Sequence, residues 1–201
     1  MQRNFLEAVA LRRTIYNIDS EIAATDKQIY HILEHALRYV PSAFNAQSTR
    51  IVLLLGRHHK RLWEIVKECL REIVVPQKFE RTEQKIDSSF ASGHGTVLFY
   101  EDATVVDEQK RVFATYADKM DVWSEHTSAM HQFVVWTALS DLGLGASLQH
   151  YNPLIDACVA AEWGIPDGWQ LIAQMPFGNQ LSEPAERCQL TPLYERLRVF
   201  K

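Results

Sequence analysis

With 201 residues, 47% of them hydrophobic, the chain can bury one sizeable core, and a single domain over residues 1–201 is expected. Its 21 basic residues against 25 acidic ones give a net charge of −4 and a pI near 6.1, which leaves no electrostatic footprint for DNA or RNA. Cys69, Cys158 and Cys188 contain no Cys-x-x-Cys pair, the first residues lack the apolar core of a signal peptide, and no run reaches membrane-spanning length. Reduced thiols and a cytoplasmic home follow.

In chain order, Phe5, Leu6, Val9 and Ala10 fall at helical spacing and predict a short helix over residues 4–11. Arg12-Arg13-Thr14 follows it. Cations are favoured at a helix C-terminus, so solvated arginines are the ordinary account of this cluster. Thr25 can cap a second helix, with Asp26 in its first turn and Ile29, Ile32, Leu33, Ala36, Leu37 and Val40 on one face. That helix ends before Pro41. It also carries His31-Ile-Leu-Glu34-His35, the H-x-x-E-H pattern of one class of zinc peptidases. The helical wheel puts His31 and His35 opposite the apolar face, so solvated histidines are expected, with a zinc hydrolase the minor alternative.

Pro41-Ser-Ala-Phe-Asn-Ala-Gln-Ser-Thr-Arg50 is dense in hydrogen-bond donors and feeds into Ile51-Val-Leu-Leu-Leu-Gly56, which reads as a short, fully buried strand. A polar loop anchored on an interior strand suits an anionic or heteroaromatic ligand, and with Arg12-Arg13-Thr14 it makes a second donor cluster. An amphipathic helix follows over 58–73, with Leu62, Ile65, Val66, Cys69, Leu70 and Ile73 as its core stripe and the paired His58-His59 expected at the surface. Pro76 to Ser92 turns polar with no strong period, as a connector or a mobile flap does. Ser92-Gly-His-Gly95 makes a turn into a second buried strand, Thr96–Tyr100, closed by Glu101-Asp102.

Trp123 to Leu142 predicts a helix capped by Ser124 and apolar on nearly every side. Such a helix is enclosed by its own domain or by a second subunit, and a dimer is the expectation. Gly143-Leu-Gly145 invites a dinucleotide reading, but the third glycine is missing and the order is helix then strand, so the glycines serve a helix end and a third strand. A short helix over 153–164, a fourth strand over Trp169–Met175 followed by Pro176-Phe-Gly178, and a polar tail with Arg187 complete the chain. The sum is an α+β fold, a four- or five-stranded, mostly antiparallel sheet wrapped by helices.

Arg12-Arg13-Thr14, Pro41-Ser-Ala-Phe-Asn45-Ala-Gln47 before a strand, and Gly143-Leu-Gly145-Ala-Ser-Leu-Gln-His-Tyr-Asn-Pro153-Leu-Ile-Asp156 occur in this order. With Trp123-Ser-Glu-His-Thr-Ser-Ala-Met130 and Ile172-Ala-Gln-Met-Pro-Phe-Gly178, the set resembles the FMN-dependent nitroreductase family. Within that family it is most similar to the compact subfamily of fungal fatty-acid-repression-mutant-like proteins and their bacterial relatives. The resemblance implies an intertwined homodimer with FMN sites at the interface. It implies an enzyme that takes hydride from NADH or NADPH at flavin N5 and passes it to nitroaromatic or quinone acceptors by ping-pong exchange. Arg12, Arg13 and Thr14 would hold the FMN phosphate or ribityl chain, with Arg187 as the second phosphate cation. Pro41, Ser42, Asn45 and Gln47 would come from the partner subunit, and Leu148, Gln149 and His150 would run along the ring. Many relatives place a cation where this chain has Tyr16; Lys85 and Arg50 are the candidates to replace it. Without the resemblance the residues support a flavin- or anion-binding module with no turnover, since no Ser/His/Asp or Cys/His arrangement stands out.

Overall fold

Gly95-Thr-Val-Leu-Phe-Tyr-Glu-Asp102 is buried along its whole length, as only an interior strand can be, and the sheet is built outward from it. The computed structural model describes residues 4–188 and 190–201. They form α1 (Phe5–Leu11), β1 (Ile18–Asp19), α2 (Asp26–Tyr39), β2 (Thr49–Leu55), α3 (Gly56–Ile73), α4 (Pro76–Ile86) and β3 (Gly95–Asp102). There follow α5 (Ala103–Val112), α6 (Met120–Asp141), β4 (Leu144–Ala146), α7 (Asp156–Trp163), β5 (Trp169–Gln180) and α8 (Leu193–Arg196). The five strands run in the order β1-β5-β3-β2, with β4 also on β5, and every pairing is antiparallel. This is the α+β architecture expected of the sequence.

Successive strand residues face opposite sides, and β3 therefore serves two cores. Val97 and Phe99 join Ile29, Leu33 and Ala36 of α2, Val135 and Leu139 of α6, and Ala173, Met175 and Phe177 of β5. Leu98 and Tyr100 join Leu62, Trp63, Ile65 and Val66 of α3, Ile155 and Val159 by α7, and Phe90. The helix starts follow from side chains: Asn4 with Glu7, and Thr25 with Gln28, form reciprocal capping boxes. Among the described residues no helix is long and apolar enough to cross a membrane.

Several elements differ from expectation. β2 is half-buried over Arg50–Leu53 because it is an edge strand, with β3 on one side only. Ile73, assigned to the core stripe of α3, is exposed, while Trp63 and His59 are enclosed. Pro76–Ser92 is neither flap nor connector: α4 continues into a π-helical turn, Asp87–Ala91, and buries Phe79, Ile86 and Phe90. Three apolar anchors among charged residues give too sparse a stripe to announce a helix. α6 begins a turn early, at Met120, so the Ser124 hydroxyl donates to the Asp121 carbonyl instead of capping. β5 runs through Pro176 to Gln180 because β1 and β4 pair beyond the proline.

Gly178 lies where β1 crosses closest to β5. A Cβ there would sit 2.2 Å from the Asp19 carbonyl oxygen, a backbone atom that cannot swing aside. Gly178→Ala is expected to cost about 2 kcal/mol through overpacking, read as a lowered denaturation midpoint; an unchanged midpoint would show that β1 yields freely.

Candidate functional site

α1 carries no buried residue, so its C-terminus is held by polar contacts. Arg187 donates to the Ala10 carbonyl and Arg13 donates to the Ala185 carbonyl, reciprocal bonds that lay the tail against the end of the helix. Arg12 lies over the Trp136 ring of α6, 4.4 Å from its centroid. Its pKa is held below the usual guanidinium value, by burial first and then by the positive charges of Arg187 and Arg13. No carboxylate pairs with any of the three among the described residues. Gathering cations that repel one another costs energy unless an anion joins them.

The segment after this cluster runs beside β4. The Ile15 N–H donates to the Ala146 carbonyl over 2.9 Å, and Thr14 bridges Ala146. Leu148, Gln149 and His150 therefore start two residues from the strand that Thr14 touches. Gln149 exchanges two backbone hydrogen bonds with Gln174, of 2.7 and 2.9 Å. Gln174 is fully buried; its carbonyl accepts from the Tyr151 N–H over 2.8 Å and its amide donates to Asn152 over 3.3 Å. A buried glutamine in a strand core is thus spent on fixing residues 149–152. Leu148 is half-buried against the α2/α6 core, while His150 is exposed. Tyr16 lies by Phe90, and the Lys85 ammonium stands 5.7 Å from the Tyr16 ring centroid. Lys85 therefore stands at the position where Tyr16 departs from the family pattern.

The loop of Pro41, Ser42, Asn45 and Gln47 lies elsewhere. Phe44, Asn45 and Gln47 all take positive φ, of 50°, 55° and 53°. Left-handed backbone at non-glycine residues costs of order 1 kcal/mol each and persists only where the surroundings impose it. The Ser42 hydroxyl accepts the Gln47 N–H over 2.9 Å. Arg50 donates to the Gln47 carbonyl over 2.8 Å while pairing with Asp102 over 3.0 Å. Ser48 and Thr49 both donate to Glu101, over 2.5 and 2.6 Å. Burial pushes the Glu101 carboxyl up despite those two bonds, and Asp102 is held down by Thr104 and Arg50 against its own burial. Phe44 stacks on Phe113 at 4.0 Å, with Tyr116 and Trp123 alongside. Glu101-Asp102, read as a strand end, is the base to which the loop is tied.

Arg50→Met would leave Asp102 capping α5 but free the Gln47 carbonyl. Affinity for any ligand held by this loop is expected to fall about tenfold, one charge-assisted bond's worth, in a fluorescence titration; an unchanged affinity would show that the loop holds its shape alone.

The chain does not bring its two donor clusters together. Phe44 packs on Trp123 near the start of α6 and Arg12 on Trp136 near its end, roughly 20 Å apart at about 1.5 Å per residue. His31, Glu34 and His35 stand on the outer face of α2. Arg38 takes the Glu34 carboxylate over 2.7 Å and the His31 side chain is 74% exposed, so this trio is not built to hold zinc. Trp136, Gln174 and Glu101 were missed by reading the sequence; Glu101 alone left a signal, a carboxylate inside an apolar strand.

Residues 9–179 match the Nitroreductase family. The chain belongs to that family. HBN1 of Saccharomyces cerevisiae is 34% identical over 185 residues, 91% of each protein, and nitroreductase FRM2 of the same yeast is 31% identical over 189 residues, 92% of each. Nitroreductase CinD from Lactococcus lactis in complex with chloramphenicol is 38% identical, with a TM-score of 0.90 over 98% of this chain and 100% of that one. These relatives place the chain beside the yeast and lactococcal nitroreductases, the compact branch that its motifs resemble. A nitroreductase with bound FMN from Desulfitobacterium hafniense, 14% identical with a TM-score of 0.70 over 100% of each chain, shares the fold.

Proposed function

We propose that this nitroreductase-family protein is an FMN-dependent NADH or NADPH oxidoreductase acting on nitroaromatic or quinone acceptors. The observation that carries the reading is the group of Arg12, Arg13 and Arg187, three guanidinium groups drawn together with no carboxylate partner among the described residues. Their planar donors suit the phosphate of FMN. Bound there, FMN would supply the hydride chemistry, accepting from the nicotinamide and giving to the acceptor in ping-pong alternation.

The residues of this chain bind and orient. Arg12, held by Trp136, and Arg187, held by Ala10, grip the phosphate end; Thr14 adds a hydroxyl. Leu148, Gln149 and His150, fixed by Gln174, form the wall along the ring. Lys85 at Tyr16 supplies positive charge to that wall. Pro41, Ser42, Asn45 and Gln47 are contributed by a second copy of the chain, because within one copy α6 holds them away from Arg12. The C-terminal arm supports such an intertwined homodimer: Leu193, Tyr194, Leu197, Val199 and Phe200 are all exposed, and Phe200 is 90% so. An apolar groove of about 450 Å³ between α2 and β2, lined by Tyr30, Leu33, Leu37, Ile51 and Leu53, offers a place for apolar side chains of the other copy. The whole of residues 1–201 serves one FMN-binding domain in the cytoplasm.

The test is the visible spectrum and sedimentation of the purified protein with added FMN, followed by NADH consumption with a quinone. A yellow dimer that turns over supports the proposal. A colourless monomer ends it, and a yellow protein without turnover reduces it to a flavin-binding module.

A further inference from the structure

Two of the three cysteines meet in space. Cys69 of α3 and Cys158 of α7 stand with their sulfurs 3.8 Å apart, the third of three contacts that clasp these helices. The others are Trp163 donating to His58 over 3.1 Å and Arg61 pairing with Glu162 over 3.1 Å. Beneath them Ile65, Val66, Ile155 and Val159 are buried, so the backbones that carry the thiols are fixed. Cys158 is exposed and Cys69 is half-buried. Both lie on the face of the sheet opposite α6 and α2, and a homodimer built on that other face leaves them accessible.

We propose that Cys69 and Cys158 are a dithiol oxidation site, closed to an intramolecular disulfide by hydroperoxides, which staples α7 to α3. Cys158, open to solvent, reacts first: its thiolate sulfur bonds to a peroxide oxygen, the O–O bond breaks, and the departing hydroxide leaves as water. Cys69 then attacks the sulfenic sulfur, the S–S bond forms as the S–O bond breaks, and the Cys69 proton leaves with the hydroxide as a second water. The two thiols are oxidised by two electrons, and the peroxide is reduced by two. Burial, and after it the hydrogen bond to Cys158, push the Cys69 thiol up to about 11. This keeps Cys69 protonated and unreactive until its neighbour has been oxidised, the order of a resolving cysteine. The residue spacing encloses a long loop, for which a cross-link stabilises most.

The experiment treats the reduced full-length protein with hydrogen peroxide and maps its thiols by non-reducing peptide mass spectrometry. The expected result is a linked Cys69–Cys158 peptide pair lighter by two hydrogens, within one chain. It should be reversed by dithiothreitol, retained in Cys188→Ser and lost in Cys158→Ser. The oxidised protein should melt at least about 4 °C higher than the reduced one. Cys158 found as sulfenic or sulfinic acid beside a free Cys69, or a disulfide between chains, overturns the site. A Cys69–Cys158 bridge without a rise in melting temperature overturns its action as a staple. Neither readout depends on flavin binding, so failure here leaves the FMN reading standing, and the reverse.

Discussion

Replacing Arg12 and Arg187 together by alanine is expected to weaken FMN binding by roughly 10²–10³-fold, with little change in the folded state. Each charge-assisted hydrogen bond contributes about 1.5–3 kcal/mol, and the pair supplies two of the three cations at the site. Their removal relieves a repulsion that already lowers the pKa of Arg12, so the protein without ligand should be no less stable through charge. The only packing lost is Arg12 against Trp136 and the Arg187 bond to Ala10. Fluorescence titration with FMN, beside thermal melts of the same preparations without it, separates the two effects. An unchanged affinity would place the phosphate elsewhere. Lysine at either position should recover part of the loss, since charge survives but the planar fork does not.

His59 controls a second large effect, on stability in acid. It lies 1% exposed between α3, the π turn and β3. Its Nε2–H donates to the Ala91 carbonyl over 3.2 Å, and the Thr96 hydroxyl can donate to Nδ1 over 2.9 Å while accepting from Trp63 Nε1 over 3.1 Å. This closed set fits the neutral ring, and burial holds the pKa down to about 4 from 6.5. The unfolded chain therefore binds a proton that the folded chain refuses. The stability from this histidine is complete above pH 6.5 and is lost as pH falls toward 4. At about 1.36 kcal/mol per unit, the loss over that window is on the order of 3 kcal/mol. His59→Gln keeps one donor and one acceptor without the titration, so its stability should fall less steeply between pH 6.5 and 4. Glu101 and Asp156, both held up by burial, act in the opposite sense in both proteins and cancel in the difference. Parallel curves for the two proteins would show that His59 accepts a proton without cost.

What was legible in the sequence was what local chemistry decides. Asn4 and Thr25 cap their helices because a side-chain oxygen and a backbone N–H lie three residues apart, a relation that needs no tertiary fold. The apolar spacing of α3 gave its existence but not its true inner face, because Trp63 and His59 are enclosed only through Thr96, far along the chain. α4 stayed hidden for the same reason: Phe79, Ile86 and Phe90 become a stripe only when α3 lies beside them. The motif order led to the Nitroreductase family, and the segments at Arg12, Ser42 and Leu148 stood out as polar or glycine-led. Their mutual distances did not. That Arg187 meets Arg12, and that the Ser42 loop does not, depends on how α6 spans the molecule.

The length of α6 sets a rule of inheritance between copies. A chain carrying Arg12→Ala and a chain carrying Arg50→Met each spoil a different end of that helix, and each would form defective pairs with its own kind. Mixed, refolded and assayed, the hybrid pair would combine the sound half of one with the sound half of the other, restoring one working centre in two. Such rescue would be impossible in a catalyst whose parts all come from the same polypeptide.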